Sequence, residues 1–307
     1  MPLLIISLGI SFLFLLIIVF RLNAFIAFIL VSIAIGIGQG MELNTIVTSI
    51  EKGIGNTLGF LVMILGLGAM LGKLVAESGA AQKITNGLIA FFGVKNTKTA
   101  VMITGFVVGI TMFYSVGFVI LVPLVFTVAS ATGLSLISIA LPMLAALSVT
   151  HGFLPPHPAP SALSIMFEAD IGKTLLYGIV VAIPSILISG PLLTRFIPKV
   201  EAKPLKEFMA SKIFEESDLP SLSNSLLTAL LPVLLIGFST ITLNFLTPGS
   251  TIFSLIEFLG NPVIALLLSL LIGIYTLGLS RGNSMEEVMK IFSTAASGIT
   301  MVLLIIS

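Results

Sequence analysis

Long apolar runs recur along the whole chain, and most of them are long enough to cross the hydrocarbon core of a membrane. The clear runs cover residues 3–20, 24–40, 58–72, 99–113, 116–131, 134–149, 174–194, 226–246 and 262–279, and a last one opens near residue 298. A transmembrane helix needs about 20 mostly apolar residues. The sequence therefore predicts an all-α polytopic membrane protein with about nine or ten transmembrane or re-entrant helices.

The composition excludes several other classes of protein. Only 9% of the residues are charged and 57% are hydrophobic, so a soluble fold could not cover its apolar surface. The formal net charge is +1, without the basic stripe that nucleic-acid binding needs, so nucleic acid is not expected as a partner. The first run lacks a basic n-region and a cleavage site, so we expect a retained first span. Cysteine is absent, which excludes thiolate metal sites and disulfides.

Two parts of the chain resemble each other, which indicates an internal repeat. Residues 23–40 and 261–278 both begin with Asn and run through an apolar span to Gly, and 58–65 matches 299–306 further on. Duplicated halves are common in secondary transporters. We predict a first membrane repeat over 1–197, a cytoplasmic linker over 198–222, and the start of an incomplete second repeat over 223–307. Equal halves would require roughly a hundred further residues.

Three further stretches have a predicted place beside or within the membrane. The linker is rich in lysine, and the positive-inside rule places it in the cytoplasm. Residues 80–92 and 284–297 have mixed polar and apolar faces and are predicted to lie flat at the interface or to re-enter the membrane.

Both histidines of the chain, His151 and His157, lie in the decapeptide HGFLPPHPAP. Pro155 and Pro156 precede His157, and proline removes backbone donors and blocks helix. The stretch is predicted to be unwound near membrane depth, which lipid tolerates only inside protein or beside a watery cavity. Histidine titrates near neutral pH and can donate and accept hydrogen bonds, so both histidines are candidates for substrate binding and proton coupling. Pro155 and Pro156 are further candidates for substrate binding. A proline-rich surface loop is the alternative.

A second candidate site lies at residues 66–82, where Lys73 and Glu77 stand four residues apart at the end of a glycine-rich segment. On a helix the two side chains would pair across one turn. Ionisable groups at membrane depth suggest function, so Glu77 is a candidate for proton coupling, although a neutralising pair at a helix end is equally compatible. Ser78 and Gly79 resemble the tip of a re-entrant hairpin, whose backbone N–H groups could bind a substrate carboxylate.

Two more sets of polar residues stand next to apolar spans. Tyr114 and Ser115 precede a proline-containing span, where their hydroxyls could bind a sugar acid or bond between helices. Asp170 is a further candidate for proton coupling, but the sequence EADIGK around it also fits the polar entry to the span that begins at residue 174.

These segments together resemble the gluconate permease family of proton symporters. The likeness rests on GIGNTLG, GAMLGKLVAESGAAQ, VGFVILVPLVF, ALSVTHGFLPPHPAP, ADIGKTLLYG and LGLSRG, and it extends over essentially the whole chain. The resemblance implies inverted repeats with helical hairpins, and a symporter that imports gluconate or a related sugar acid, with protons, across the bacterial cytoplasmic membrane. Many relatives carry an acidic residue where this chain has Ser115, so a proton-carrying role for that acid does not transfer.

Other functions stay open or are disfavoured at this point. A symporter of the same family for D-serine, another hydroxy acid or a hexuronic acid is the first alternative, and a passive channel is the second. The enzyme motifs H-E-x-x-H and G-x-S-x-G are absent, as is a P-loop, so neither an enzyme nor an ATP-driven pump is expected. No cofactor or metal is expected, and the lipid bilayer is the expected surrounding. A homodimer is an expectation by analogy with similar carriers.

Overall fold

The structure is a computed structural model and describes residues 2–197 and 214–306. Within those ranges the regular elements are helices: α1 Pro2–Phe14, α2 Ala24–Gly38, α3 Leu43–Glu77, α4 Ala80–Phe92, α5 Thr97–Thr111, α6 Tyr114–Thr132, α7 Leu136–Phe153, α8 Pro158–Met166, α9 Ile171–Leu187, α10 Leu222–Thr242, α11 Thr251–Gly260, α12 Pro262–Gly273 and α13 Met285–Ile306. Wider π turns extend α1, α9 and α12, and short 3-10 turns occur at Val94–Asn96 and Glu216–Asp218.

Seven helical stretches in the described part of the chain are long and apolar enough to cross a membrane. They are Pro2–Val19, Leu43–Glu77, Leu136–Met166, Ile171–Arg195, Leu222–Phe245, Pro262–Arg281 and Met285–Ile306. Shorter apolar helices, among them α2 and α5, accompany them. The prediction of an all-α polytopic membrane protein is confirmed.

Two helices are longer than the sequence pattern predicted. The predicted boundary near residue 298 is not a boundary, because α13 runs unbroken from Met285 to Ile306. Its acidic residues Glu286 and Glu287 occupy the first turn, where the helix dipole favours negative charge, so they mark the helix start rather than a separate interfacial segment. In the same way α3 begins at Leu43, fifteen residues before the apolar run that starts at residue 58.

The described chain divides into two compact units. One contains residues 1–63 and 298–307, and in it α1 packs against α2 where Gly9 lies close to Ile35. The other contains Ile64–Ser297 and is built around the packing of α5 against α7. Buried side chains of α5, α7, α9, α10 and α12, with Leu154 just after α7, form a hydrophobic cluster in this unit: Met102, Ile110, Ala146, Leu154, Leu175, Ala182, Ile186, Ile236 and Ala265.

The two segments that resemble each other in sequence begin with the same local geometry. Asn23 caps α2 and Asn261 caps α12, and each side chain accepts a hydrogen bond of 3.0 Å from the backbone N–H two residues later. Their backbone angles also agree, with φ/ψ of −56°/135° at Asn23 and −59°/128° at Asn261. An asparagine at this position satisfies a backbone N–H that the helix leaves unpaired. Asparagine therefore caps the helix at the first position of both of these similar segments.

Candidate functional site

Two helices of the larger unit are interrupted, and the two interruptions meet at the histidines. Met112 and Phe113 separate α5 from α6 with extended backbone, at ψ of 140° and 142°. Leu154–His157 separates α7 from α8 and contains a cis peptide bond between Pro155 and Pro156. Broken helices of this kind carry the binding sites of many transporters, because they free backbone polar groups inside the protein.

The unwound stretch is shorter than the sequence predicted. His151 lies in the last turn of α7, and the prolines at 158 and 160 lie in the first turn of α8. Proline is tolerated there because the first N–H groups of a helix have no partner within the helix. Only the residues from Leu154 to His157 leave the helical path, and His157 becomes the N-cap of α8.

The two histidines form a hydrogen-bonded pair. The Nδ1 atoms of His151 and His157 are 3.2 Å apart, and Nε2 of His157 lies 2.6 Å from the carbonyl oxygen of Gly109 in α5. A carbonyl oxygen only accepts, so Nε2 of His157 must carry a hydrogen. In a neutral ring Nδ1 of His157 is then the acceptor, and Nδ1 of His151 donates to it. His157 is 4% exposed, whereas His151 is half-buried.

Aromatic rings enclose this pair on the α6 side. The ring centre of Phe113 lies 5.9 Å from that of His151 and 6.3 Å from that of His157. Tyr114 lies 6.5 Å from His151 and stacks on Phe118 at 6.0 Å. The predicted candidates Tyr114, His151 and His157 are therefore brought together.

Glycines allow the close approach that holds the pair in place. A Cβ added at Gly109 would overlap the hydroxyl of Thr150, and one added at Gly105 would lie 2.5 Å from the carbonyl oxygen of Met143. A Cβ at Gly72 of α3 would lie 2.6 Å from the carbonyl oxygen of Thr111, beside the break after α5. Glycines four residues apart, such as Gly105 and Gly109, favour tight helix packing in membranes. The hydrogen bond from His157 to the Gly109 carbonyl cannot be read from that spacing.

The second predicted site forms a tight corner between α3 and α4. Nζ of Lys73 and a carboxylate oxygen of Glu77 are 2.9 Å apart, so the predicted pair across one helical turn is formed. Gly79 has φ of 80°, and the Ser78 hydroxyl donates to the carbonyl oxygen of Val75 at 3.2 Å. Ser78 is buried, and a Cβ at Gly79 would lie 2.8 Å from the side chain of Leu219. The corner is thus enclosed by other parts of the chain.

Residues Phe214–Leu219, which we call the covering segment, enclose that corner. The Gln82 side chain donates to the Phe214 carbonyl at 2.8 Å and accepts from the Phe214 N–H at 3.0 Å. Lys83 pairs with Glu216, and Asn86 donates to the same carboxylate at 3.3 Å. The hydrogen bond from Lys83 holds the pKa of Glu216 below its ordinary value. Sequence reasoning missed this segment, because its partners are more than 100 residues away.

The remaining candidates have local roles or fall outside the described part. Asp170 is exposed and caps α9, where its carboxylate accepts from the Lys173 N–H at 2.7 Å. Ser115 lies in α6, but its side chain is outside the described part of the structure. The first sixteen residues of the predicted linker, 198–213, are also outside it.

A cavity of about 520 Å³ lies in the smaller unit and includes neither histidine. Its lining is apolar apart from residues such as Ser32 and Ser49, so it offers few hydrogen bonds to a polar substrate. Among residues 2–197 and 214–306, no group of three His, Asp or Glu side chains lies close enough to hold a metal ion. The candidate site is therefore the histidine pair.

Comparison with known proteins identifies the family. The whole chain, residues 1–307, matches the family model described as GntP family permease. The chain belongs to the GntP family of permeases. Two similar proteins come from Escherichia coli K12: the Gnt-II system L-idonate transporter is 45% identical and a high-affinity gluconate transporter is 47% identical, each over all of this chain and 70% of its own length. A gluconate permease of Bacillus subtilis is 43% identical over the same shares.

The family agrees with the resemblance that the motifs indicated. Its relatives are bacterial, and seven apolar helices lie in its described part. The chain is therefore a multi-pass bacterial membrane transporter and not an enzyme.

Proposed function

We propose that this GntP-family permease imports gluconate or a closely related sugar acid together with protons. The substrate class is supported by relatives named for gluconate and for L-idonate at 47% and 45% identity. L-Idonate is the second candidate, because its named transporter is about as similar to this chain as the gluconate transporter is. Both are six-carbon polyhydroxy carboxylates, so one site chemistry suits both.

The observation that carries the proposal is the meeting of two broken helices at the histidine pair. α6 begins inside the unit at Tyr114, and its N-cap residue Phe113 makes no capping hydrogen bond with its side chain. The first N–H groups of a helix have no partner within the helix, and together with the positive end of the helix dipole they favour an anion at such a start. We place the substrate carboxylate there and the substrate hydroxyls near Tyr114 and His151, which are both half-buried.

The histidine pair is also the best-supported place for proton coupling. Histidine is the side chain that ordinarily changes charge between pH 5 and 8. The other candidates are engaged elsewhere, since Glu77 pairs with Lys73 and Asp170 caps α9. The coupled proton therefore binds at the same site as the substrate.

We further propose that residues 1–197 form one repeat, that 198–222 link it to the next, and that 223–307 begin a second repeat inverted relative to the first. The matching caps of Asn23 and Asn261 support this division. Alternating access would then arise from movement of one half against the other. Binding of substrate at Ser78 and Gly79 would require the covering segment to move away, and a homodimer is compatible with the proposal.

Uptake of labelled gluconate into proteoliposomes, with and without an inward proton gradient, tests the function. We expect accumulation above equilibrium that a protonophore abolishes, and inhibition by unlabelled L-idonate. Uptake that never exceeds equilibrium would indicate a passive channel, and inhibition by D-serine alone would indicate a different substrate. Full accumulation by a variant that carries both His151→Ala and His157→Ala would contradict coupling at the pair.

A further inference from the structure

We propose that the two histidines divide the work: His151 holds the coupled proton on its Nε2 atom, and His157 is a positioning residue. The inference rests on the proton coupling proposed above and adds which atom carries the proton. It follows from the two hydrogen bonds of the pair and from the difference in exposure between the rings.

The position of His157 is fixed at both of its nitrogens. Nε2 donates to the Gly109 carbonyl at 2.6 Å, and Nδ1 faces Nδ1 of His151 at 3.2 Å. The Gly109 oxygen accepts a hydrogen bond but is far too weak a base to take the proton over, so a proton cannot leave the pair by that route. Buried at 4% exposure, His157 is best kept neutral, because an unpaired buried charge is costly.

Neither of these two hydrogen bonds uses Nε2 of His151. The Nδ1–H of His151 donates to His157, which leaves the lone pair of Nε2 on a half-buried ring. Among the described side chains, no hydrogen bond of this atom is found. A proton that arrives forms one N–H bond at Nε2, and its release breaks the same bond. The imidazolium then keeps its bond to His157 as a charge-assisted hydrogen bond, which is stronger than the neutral one.

The surroundings of His151 suit a transient positive charge. The ring of Phe113 lies 5.9 Å away, within the range of a cation–π interaction. Of the titratable groups on the helices packed against α7, His157 and Tyr114 make ring contacts with His151. The others on these described elements are exposed side chains for which no contact with His151 is found: Lys98 of α5, Lys173 and Tyr177 of α9, and Arg195.

Nitrogen NMR of the full-length chain in nanodiscs, with ¹⁵N-labelled histidine, tests the assignment without transport. We expect one ring that stays a neutral Nε2–H tautomer and one ring that gains a second N–H as the pH falls from 8 to 5. His151→Gln should remove the titrating ring, and His157→Gln should remove the constant one. The opposite assignment, or two rings that titrate together, overturns the inference.

Transport by the same variants gives a second readout. In His157→Gln the amide can still donate to the Gly109 carbonyl, so we expect slower uptake that still accumulates gluconate above equilibrium with the wild-type pH profile. His157→Leu cannot donate and should lose most of this accumulation. His151→Gln should retain slow exchange of gluconate but bring the accumulation ratio down to about 1, because an amide does not hold a proton near neutral pH.

The two proposals fail in different ways. Proton-driven accumulation that persists in His151→Gln and disappears in His157→Gln overturns the division of roles while the symport stands. A wild-type protein without proton-driven uptake overturns the proposed coupling itself, and with it the role of His151.

Discussion

The break at Leu154–His157 and the corner at Ser78–Gly79 both interrupt helices of the larger unit, but their polar groups are satisfied differently. At the break, His157 bonds to a carbonyl of the neighbouring α5, and its partner His151 stays half-buried. At the corner, a distant segment covers the backbone, and a glutamine clamps that segment through two hydrogen bonds. The comparison suggests that the break is ready to meet a substrate, whereas the corner becomes available only after the covering segment moves.

The largest expected effect in this comparison comes from Gly109→Ala, which acts on the break. The added methyl group would overlap the Thr150 hydroxyl and push α5 and α7 apart, which carries the Gly109 carbonyl away from His157. Overpacking of a tight core costs about 1–3 kcal/mol. We expect a lower unfolding temperature of the full-length chain in micelles, followed by circular dichroism, and at least a tenfold loss of uptake.

A second change tests whether the overlap is the cause. In the double variant Gly109→Ala with Thr150→Ala the hydroxyl is gone, and the next neighbours of the added methyl are Leu147 atoms at 3.2 and 3.3 Å. Stability and uptake should recover in part, so that the loss in the double variant is smaller than the sum of the losses in the two single variants. Additive losses would show that the contact between these two residues does not set the geometry of the break.

The next prediction concerns the corner and uses two glycines with positive φ. Gly79 has φ/ψ of 80°/2° with Leu219 close by, and Gly133 has φ/ψ of 68°/9° with open space around it. Alanine at either position bears the strain of a left-handed conformation, about 1–2 kcal/mol. We expect Gly79→Ala to lower the free energy of unfolding more than Gly133→Ala, because only the first also displaces Leu219. Equal losses would mean that Leu219 and the covering segment can move aside without lowering the free energy of unfolding.

Gln82→Ala should loosen the covering segment with a smaller effect on the whole protein. The change removes both hydrogen bonds to Phe214, each of which contributes about 0.5–1.5 kcal/mol. Hydrogen exchange of the Phe214 amide should therefore become about tenfold faster or more. Asn86→Ala is the matched control, since it removes one longer bond to Glu216 and leaves the clamp intact. Similar exchange in both variants would argue against the clamp.

Sequence reasoning was most successful where the signal is local. The apolar runs gave the fold class, and the pairing of Lys73 with Glu77 across one helical turn followed from their spacing. It failed where apolar and polar stretches continue as one helix, as in α13, because no helix-breaking residue marks a boundary in the sequence.

The candidate site was only partly predictable for a related reason. The prolines around His157 located the break, since proline interrupts helix whatever surrounds it. The roles of Gly109 and Phe113 depend on their contacts with His157, which lies 48 residues after Gly109 in the chain. A single sequence contains no record of that contact. The same holds for the covering segment, whose residues look like the end of a polar linker.

The smallest expected effect is a pH dependence of the covering segment. The hydrogen bond from Lys83, with a further contribution from Asn86, lowers the pKa of Glu216 below its ordinary value of 4.5. A group whose pKa is lowered by folding stabilises the folded form at pH values above its unfolded pKa, and the stabilisation disappears as the pH falls through the folded pKa. Exchange of the Phe214 amide, corrected for the intrinsic effect of pH, should therefore accelerate only below about pH 4.5. The change should be modest, since the carboxylate is exposed and water screens the pair.

In Glu216→Gln the Phe214 amide should exchange somewhat faster at neutral pH, and its exchange should lose this acid-dependent step. If the variant keeps the step, another group in the segment or at the corner must titrate, and the pair of Lys83 with Glu216 does not hold the corner closed.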